Sequence, residues 1–196
     1  MADTASIQKI RIQRQDEEIH LDRKGDMWFV NDDFPADEGI MMVVLTVMRQ
    51  MEVSRGVSRT QATEVIDRLK TEGAEVEVFD GKGKIRHFYA GGNPNKTLSY
   101  FAEPQSEQAW VVNIPGYDSY VSGIFEIPGI DWRRRLIFSS TWRSLLKLTG
   151  TYPASPSYDF NIEFFAGYLQ MPGIDALDTA AMMEYIEQFE YFQADR

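Results

Sequence analysis

Apolar side chains recur at alternate positions in three successive runs near the N-terminus: Ile7, Ile10 and Ile12, then Ile19 and Leu21, then Met27 to Val30. Polar breaks at Gln15-Asp16-Glu17 and Lys24-Gly25-Asp26 separate them, so the period-two pattern predicts a three-stranded meander. After Phe34-Pro35-Ala36-Asp37 the period changes. Met41, Val44, Leu45, Met48 and Met51 fall at helical spacing behind Asp37, whose carboxylate is a good helix cap. The C-terminus repeats the plan: Leu146 and Leu148 match Ile10 and Ile12, Ile162 and Phe164 match Ile19 and Leu21, and Tyr168 to Met171 match Met27 to Val30. Asp178 then takes the capping place of Asp37. Met182, Tyr185, Ile186, Phe189 and Phe192 reproduce the apolar spacing of the first helix.

Between these ends, Ser58-Arg59-Thr60-Gln61 has capping-box spacing, and Ala62, Val65, Ile66 and Leu69 form one stripe that stops at Gly73. Val76 and Val78 alternate with glutamates before Asp80-Gly81-Lys82-Gly83, a hairpin turn, and Ile85 to Tyr89 return as the partner strand. Further strands are expected at Thr97 to Ala102 and Ala109 to Ile114, and a short helix at Tyr117 to Phe125. Trp132 to Ser144 reads equally as strand or helix. The expected fold is α+β: antiparallel sheets with packed helices, two β-β-β-α units at 1–57 and 143–196 flanking a central helix and hairpin sheet at 58–142. No linker divides them, so one compact domain is expected.

Composition narrows the function classes. A formal charge of −10, from 30 acidic and 20 basic side chains, repels phosphate backbones and argues against nucleic acid; it would steer basic partners inward, although an acidic balance also simply favours solubility. The absence of cysteine removes thiol catalysis, disulfides and thiolate metal sites. No apolar run approaches the roughly 18–20 residues that span a bilayer, and Met1 to Ser6 lacks the regions of a signal peptide.

Candidate chemistry is sparse. His20 and His87 sit in strand patterns, outside any metal-ligand spacing. Gly92-Asn93-Pro94-Asn95-Lys96-Thr97 invites comparison with a phosphate-binding loop, but Asn95 stands where that loop needs glycine, and a strand follows instead of a helix, so a turn is expected. Asn95-Lys96-Thr97 also has the glycosylation-acceptor pattern, meaningful only in a eukaryotic secretory setting. Asn31-Asp32-Asp33 with Asp37-Glu38 gathers carboxylates in no calcium-loop spacing. Tyr117-Asp118-Ser119-Tyr120 lacks a companion histidine signal. The unusual feature is Ile130-Asp131-Trp132-Arg133-Arg134-Arg135, a basic triplet after tryptophan. Trp132 offers a stacking face, and Arg133, Arg134 and Arg135 offer guanidinium groups to a carboxylate, a lipid phosphate or a partner; the alternative has Trp132 in the core and the arginines paired with the chain's own carboxylates.

In their order along the chain, Ile10-Arg11-Ile12 leading to Trp28-Phe29-Val30, Phe34-Pro35-Ala36-Asp37, the Val57-Ser58 step, Gly91, Ile114-Pro115-Gly116-Tyr117, and Trp132-Arg133 followed by Ile137-Phe138 resemble the bacterial domain of unknown function 4340 family. The resemblance covers most of the chain. It implies an extracytoplasmic domain, periplasmic or at the cell surface, held by one N-terminal membrane helix, which this sequence lacks, beside ABC-type transport or gliding-related components. It supplies no catalytic residues. The leading expectation is therefore a non-enzymatic binding or assembly domain without cofactor, whose partners are membrane components of a transporter complex. Two alternatives stay open: a carboxylate-based hydrolase or carbohydrate-active enzyme, and anionic ligand or lipid binding through the arginine triplet.

Overall fold

The computed structural model describes residues 4–15, 17–117, 120–138, 143–165, 168–174, 176–190 and 192–193. Asp16, Asp118, Ser119 and residues 139–142 of the ambiguous 132–144 stretch lie outside the described residues. The chain is mixed α+β and divides into two compact units, Met1–Arg134 and Arg135–Arg196.

The first unit contains β1 (Ile7–Arg14), β2 (Glu17–Lys24), β3 (Met27–Val30), β4 (Phe34–Pro35), α1 (Glu38–Gln50), β5 (Glu52–Gly56), α2 (Arg59–Glu72), β6 (Ala74–Asp80), β7 (Gly83–Gly92), β8 (Ser99–Ala102) and β9 (Ala109–Asn113). They build one nine-stranded antiparallel sheet in the order β4-β3-β2-β1-β6-β7-β8-β9-β5. The expected meander is its first part, with Ile12 opposite Ile19 and Leu21 opposite Val30. β1 also pairs with β6, placing Ile10 against Val78 and Ile12 against Val76. Segments 1–57 and 58–142, expected as separate regions, thus share one sheet. β5 was not expected: its five residues are all exposed and show no alternation, and only pairing with β9 makes it a strand.

Alternation divides the sheet into two faces. Ile10, Ile12, Ile19, Leu21, Val76, Val78 and Phe88 lie on the face covered by Met41, Val44 and Met48 of α1, together with Phe125 and Trp132. The intervening residues of β7 to β9, including Tyr89, Tyr100, Ala102 and Val111, lie on the other face beneath Val65, Ile66 and Leu69 of α2. Asp37 caps α1 as expected, its Oδ1 accepting from the Ile40 amide at 3.0 Å. Ser58 does not cap α2 in the expected way: its hydroxyl donates to Gln61 Oε1 at 3.0 Å, leaving the capping-box bonds to the backbone unmade. The expected helix at Tyr117 to Phe125 is a 3-10 turn over Val121–Glu126, followed by another over Gly129–Trp132.

In the second unit β10 (Leu136–Phe138) pairs with β14 (Phe192–Gln193), while β11 (Lys147–Gly150), β12 (Phe160–Phe165) and β13 (Tyr168–Gln170) form a three-stranded antiparallel sheet in that order. Ile162 packs with Met182 and Ile186 of α3 (Thr179–Glu187). Asp178 caps α3 through the Ala181 amide at 3.0 Å, as its position predicts. The helix is shorter than expected. It stops at Glu187, Phe189 lies in the following turn, and Phe192 enters β14; there both rings stack near Phe138, so aromatic packing outside the helix claims two positions that helical spacing assigned to it.

Candidate functional site

The segment singled out in the sequence is tied to the start of α1 by backbone bonds. The Asp37 amide donates to Trp132 O at 2.8 Å, Ala36 and Arg133 form an antiparallel bridge, and the Arg134 amide donates to Pro35 O at 2.7 Å. Trp132 is fully buried, with Nε1 donating to Ile127 O at 3.1 Å, so its ring is committed to the core and presents no stacking face. Arg133 lies over Phe34, with Cζ 3.8 Å from the ring centroid. That is a cation–π contact, and it accounts for an Nε that is enclosed without a hydrogen-bond partner. Arg134 points toward Glu38, 3.8 Å between Nη1 and Oε1. Arg135 opens the second unit. The structure thus brings Arg133 and Arg134 to β4 and α1, but aims them at different partners.

Beside Arg134 lies a groove of about 310 Å³ between α1 and the β3-β4 edge. Met27, Trp28, Met41, Met42 and Leu45 supply its apolar lining, and Asp26, Glu38 and Arg134 its charged rim. Met27 and Met42 remain 58% and 68% exposed, so the groove continues into an uncovered apolar surface. Sequence reasoning treated the α1 residues only as core. The missed signal was the unbroken run Ile40-Met41-Met42-Val43-Val44-Leu45, which is wider than the stripe one buried helix face requires. Methionine suits such a surface because its unbranched, polarizable side chain repacks around differently shaped partners.

Comparison of this chain with family models, with curated proteins and with solved structures finds no match.

The two histidines share the face of the sheet opposite α1. His20 Nε2 lies 3.0 Å from Glu18, and His87 Nε2 lies 2.7 Å from Glu75. Between them Glu77, nearly buried, receives Lys84 at 2.8 Å and Arg11 at 2.9 Å. The Lys84 hydrogen bond, with Arg11 nearby, holds the Glu77 carboxyl below the usual carboxylate range against the opposing effect of burial. Among the described residues, no group of three or more histidine, aspartate or glutamate side chains is positioned to hold a metal ion. No helix among them is long and apolar enough to cross a membrane.

Proposed function

We propose that this chain is a non-enzymatic binding and assembly domain whose methionine-lined groove takes a basic amphipathic segment of a partner protein. The observation that carries the reading is the groove's continuity with the exposed Met27 and Met42 side chains, an apolar surface left open beside α1. Charge selects the occupant: Asp26 and Glu38 outnumber Arg134 at the rim, and the chain's −10 charge draws cationic segments toward it. An amphipathic helix would seat apolar side chains on Met41, Met42 and Leu45 and leave its basic side chains at the acidic rim.

The resemblance to the domain of unknown function 4340 family supports an extracytoplasmic setting beside a transport complex, with an anchored partner as the natural source of the segment. The same reading takes the second unit's meander and helix as a copy of β1-β2-β3-α1. Shared element order and the matching Asp37 and Asp178 caps favour duplication. The second hairpin is offset by two residues, since Leu21 opposes Val30 whereas Phe164 opposes Leu169; an even offset keeps each side chain on its face.

The test is titration of the full chain with a synthetic leucine-lysine amphipathic helix, followed by tryptophan fluorescence, alongside an otherwise identical leucine-glutamate helix. Saturable binding of the basic helix, weakened at least tenfold by Met42→Glu, is the expected result. Equal binding of both helices, no binding of either, or unchanged affinity in Met42→Glu would overturn it.

A further inference from the structure

A second concavity, of about 340 Å³, opens where the end of β1, the last turn of α2, the β7-β8 turn and the 3-10 turn at Val121–Glu126 meet. In an acidic chain its charge is inverted: Arg14, Arg68 and Lys96 face Glu72 and Glu126. Glu126 is already engaged, because Lys96 Nζ approaches one carboxylate oxygen at 2.5 Å and the Tyr120 hydroxyl donates to the other. Among the described residues, the two arginines have no such carboxylate. Arg14 donates to the Glu126 backbone carbonyl, and Arg68 lies over the Tyr100 ring, Cζ 5.8 Å from its centroid. Arg68 Nε is enclosed without a hydrogen-bond partner among the described residues.

Arg14 and Arg68 thus bring guanidinium groups to the cleft, and a guanidinium–oxyanion pair is among the strong charge-assisted hydrogen bonds. Gly91 and Gly92 line the cleft, and a β-carbon on Gly92 would collide with the Tyr120 ring, so glycine there keeps Tyr120 against Glu126. Burial and the Glu126 contact push the Tyr120 phenol upward, which keeps it a hydrogen-bond donor at neutral pH.

We infer that this cleft is a binding site for a small hydroxylated oxyanion, a phosphate monoester or carboxylate, held by Arg68 and Arg14 with its hydroxyl groups toward Glu72. The turn carrying Lys96 is the one whose strand and lysine-threonine pair invited comparison with a phosphate-binding loop. The structure keeps it as a turn between β7 and β8, in which Asn93 Oδ1 accepts from the amides of Thr97 and Leu98. It contributes a lysine, while the arginines come from elsewhere.

Glycerol 3-phosphate and malate, with glycerol as neutral control, are titrated into the full chain by calorimetry, and thermal shifts are read in parallel. Saturable binding of at least one of the two anions, without glycerol binding, is expected. Arg68→Met should weaken it at least tenfold without lowering the melting temperature of the ligand-free protein, and Arg68→Lys should fall between. Glu126→Gln removes the competing carboxylate from Lys96 and should tighten binding severalfold. Binding of neither anion, binding of glycerol as tight as that of the anions, unchanged affinity in Arg68→Met, or weaker binding in Glu126→Gln would each overturn the assignment.

Discussion

Replacing Trp132 with phenylalanine separates a core residue from a ligand-stacking one. The indole is fully buried among the α1-side core and donates to Ile127 O. Phenylalanine keeps the β-carbon and one ring but removes about two methylene equivalents of apolar bulk, each contributing about 0.8 kcal/mol when buried. It also leaves the Ile127 carbonyl without its donor, a further cost of about 1 kcal/mol or slightly more. The expected loss is about 3 kcal/mol, below the upper end of the roughly 3–5 kcal/mol expected for full truncation to alanine. With a urea dependence of roughly 2 kcal/mol per molar, the midpoint should fall by about 1.5 M. Far-UV circular dichroism across a urea series measures this, and alanine at the same position should lower the midpoint further. A phenylalanine variant unfolding within about 0.3 M of the wild type would refute the reasoning and return the ring to the stacking role considered from sequence.

Two other outcomes follow from the geometry. Glu77→Gln should lose about 1 kcal/mol at neutral pH, a modest figure because Arg11 and Lys84, at 38% and 43% side-chain exposure, recover hydration when the carboxylate is gone. The folded-state pKa of Glu77 is lowered, so its contribution is complete above the unfolded carboxylate range and disappears as pH falls through the folded value; the gap between the urea midpoints of variant and wild type should close as pH falls below the usual carboxylate range, and a gap that stays constant through that descent would contradict the assignment. Gly92→Ala should cost about 1–3 kcal/mol by driving a β-carbon into Tyr120, and Tyr120→Ala in the same chain should recover most of it; thermal melts that show no recovery would place the strain elsewhere.

Features set by short-range pattern were legible in the sequence. The α2 stripe of Ala62, Val65, Ile66 and Leu69 is buried as its spacing requires, and Asp80 closes the β6-β7 hairpin by accepting from the Lys82 and Gly83 amides. Both aspartate caps form where chemistry and position put them. What pattern did not disclose was pairing across sequence distance. Nothing local in Ile7–Arg14 says that its second neighbour is Ala74–Asp80, and Glu52–Gly56 carries no periodicity because its backbone alone joins the sheet. The sites were hidden for the same reason. Arg14 and Glu126 touch although 112 positions separate them, and Arg68 arrives on a helix whose other face was the conspicuous one. The arginine triplet was conspicuous because its members are adjacent, yet consecutive residues on an extended backbone point apart, and Arg133 and Arg134 diverge to Phe34 and Glu38.

Charge then sorts the two concavities by occupant. In the methionine-lined groove the rim has the chain's own sign, so the long-range field and the local contacts favour the same basic partner. In the cleft the arginines oppose that field. An anion must approach against a net charge of −10 and recovers its hydration only from contacts made inside, so affinity there depends on the cationic side chains that line the cleft and not on steering. With Lys96 held by Glu126, the donors left for an anion are the Arg14 and Arg68 guanidinium groups, which have no carboxylate partner among the described residues.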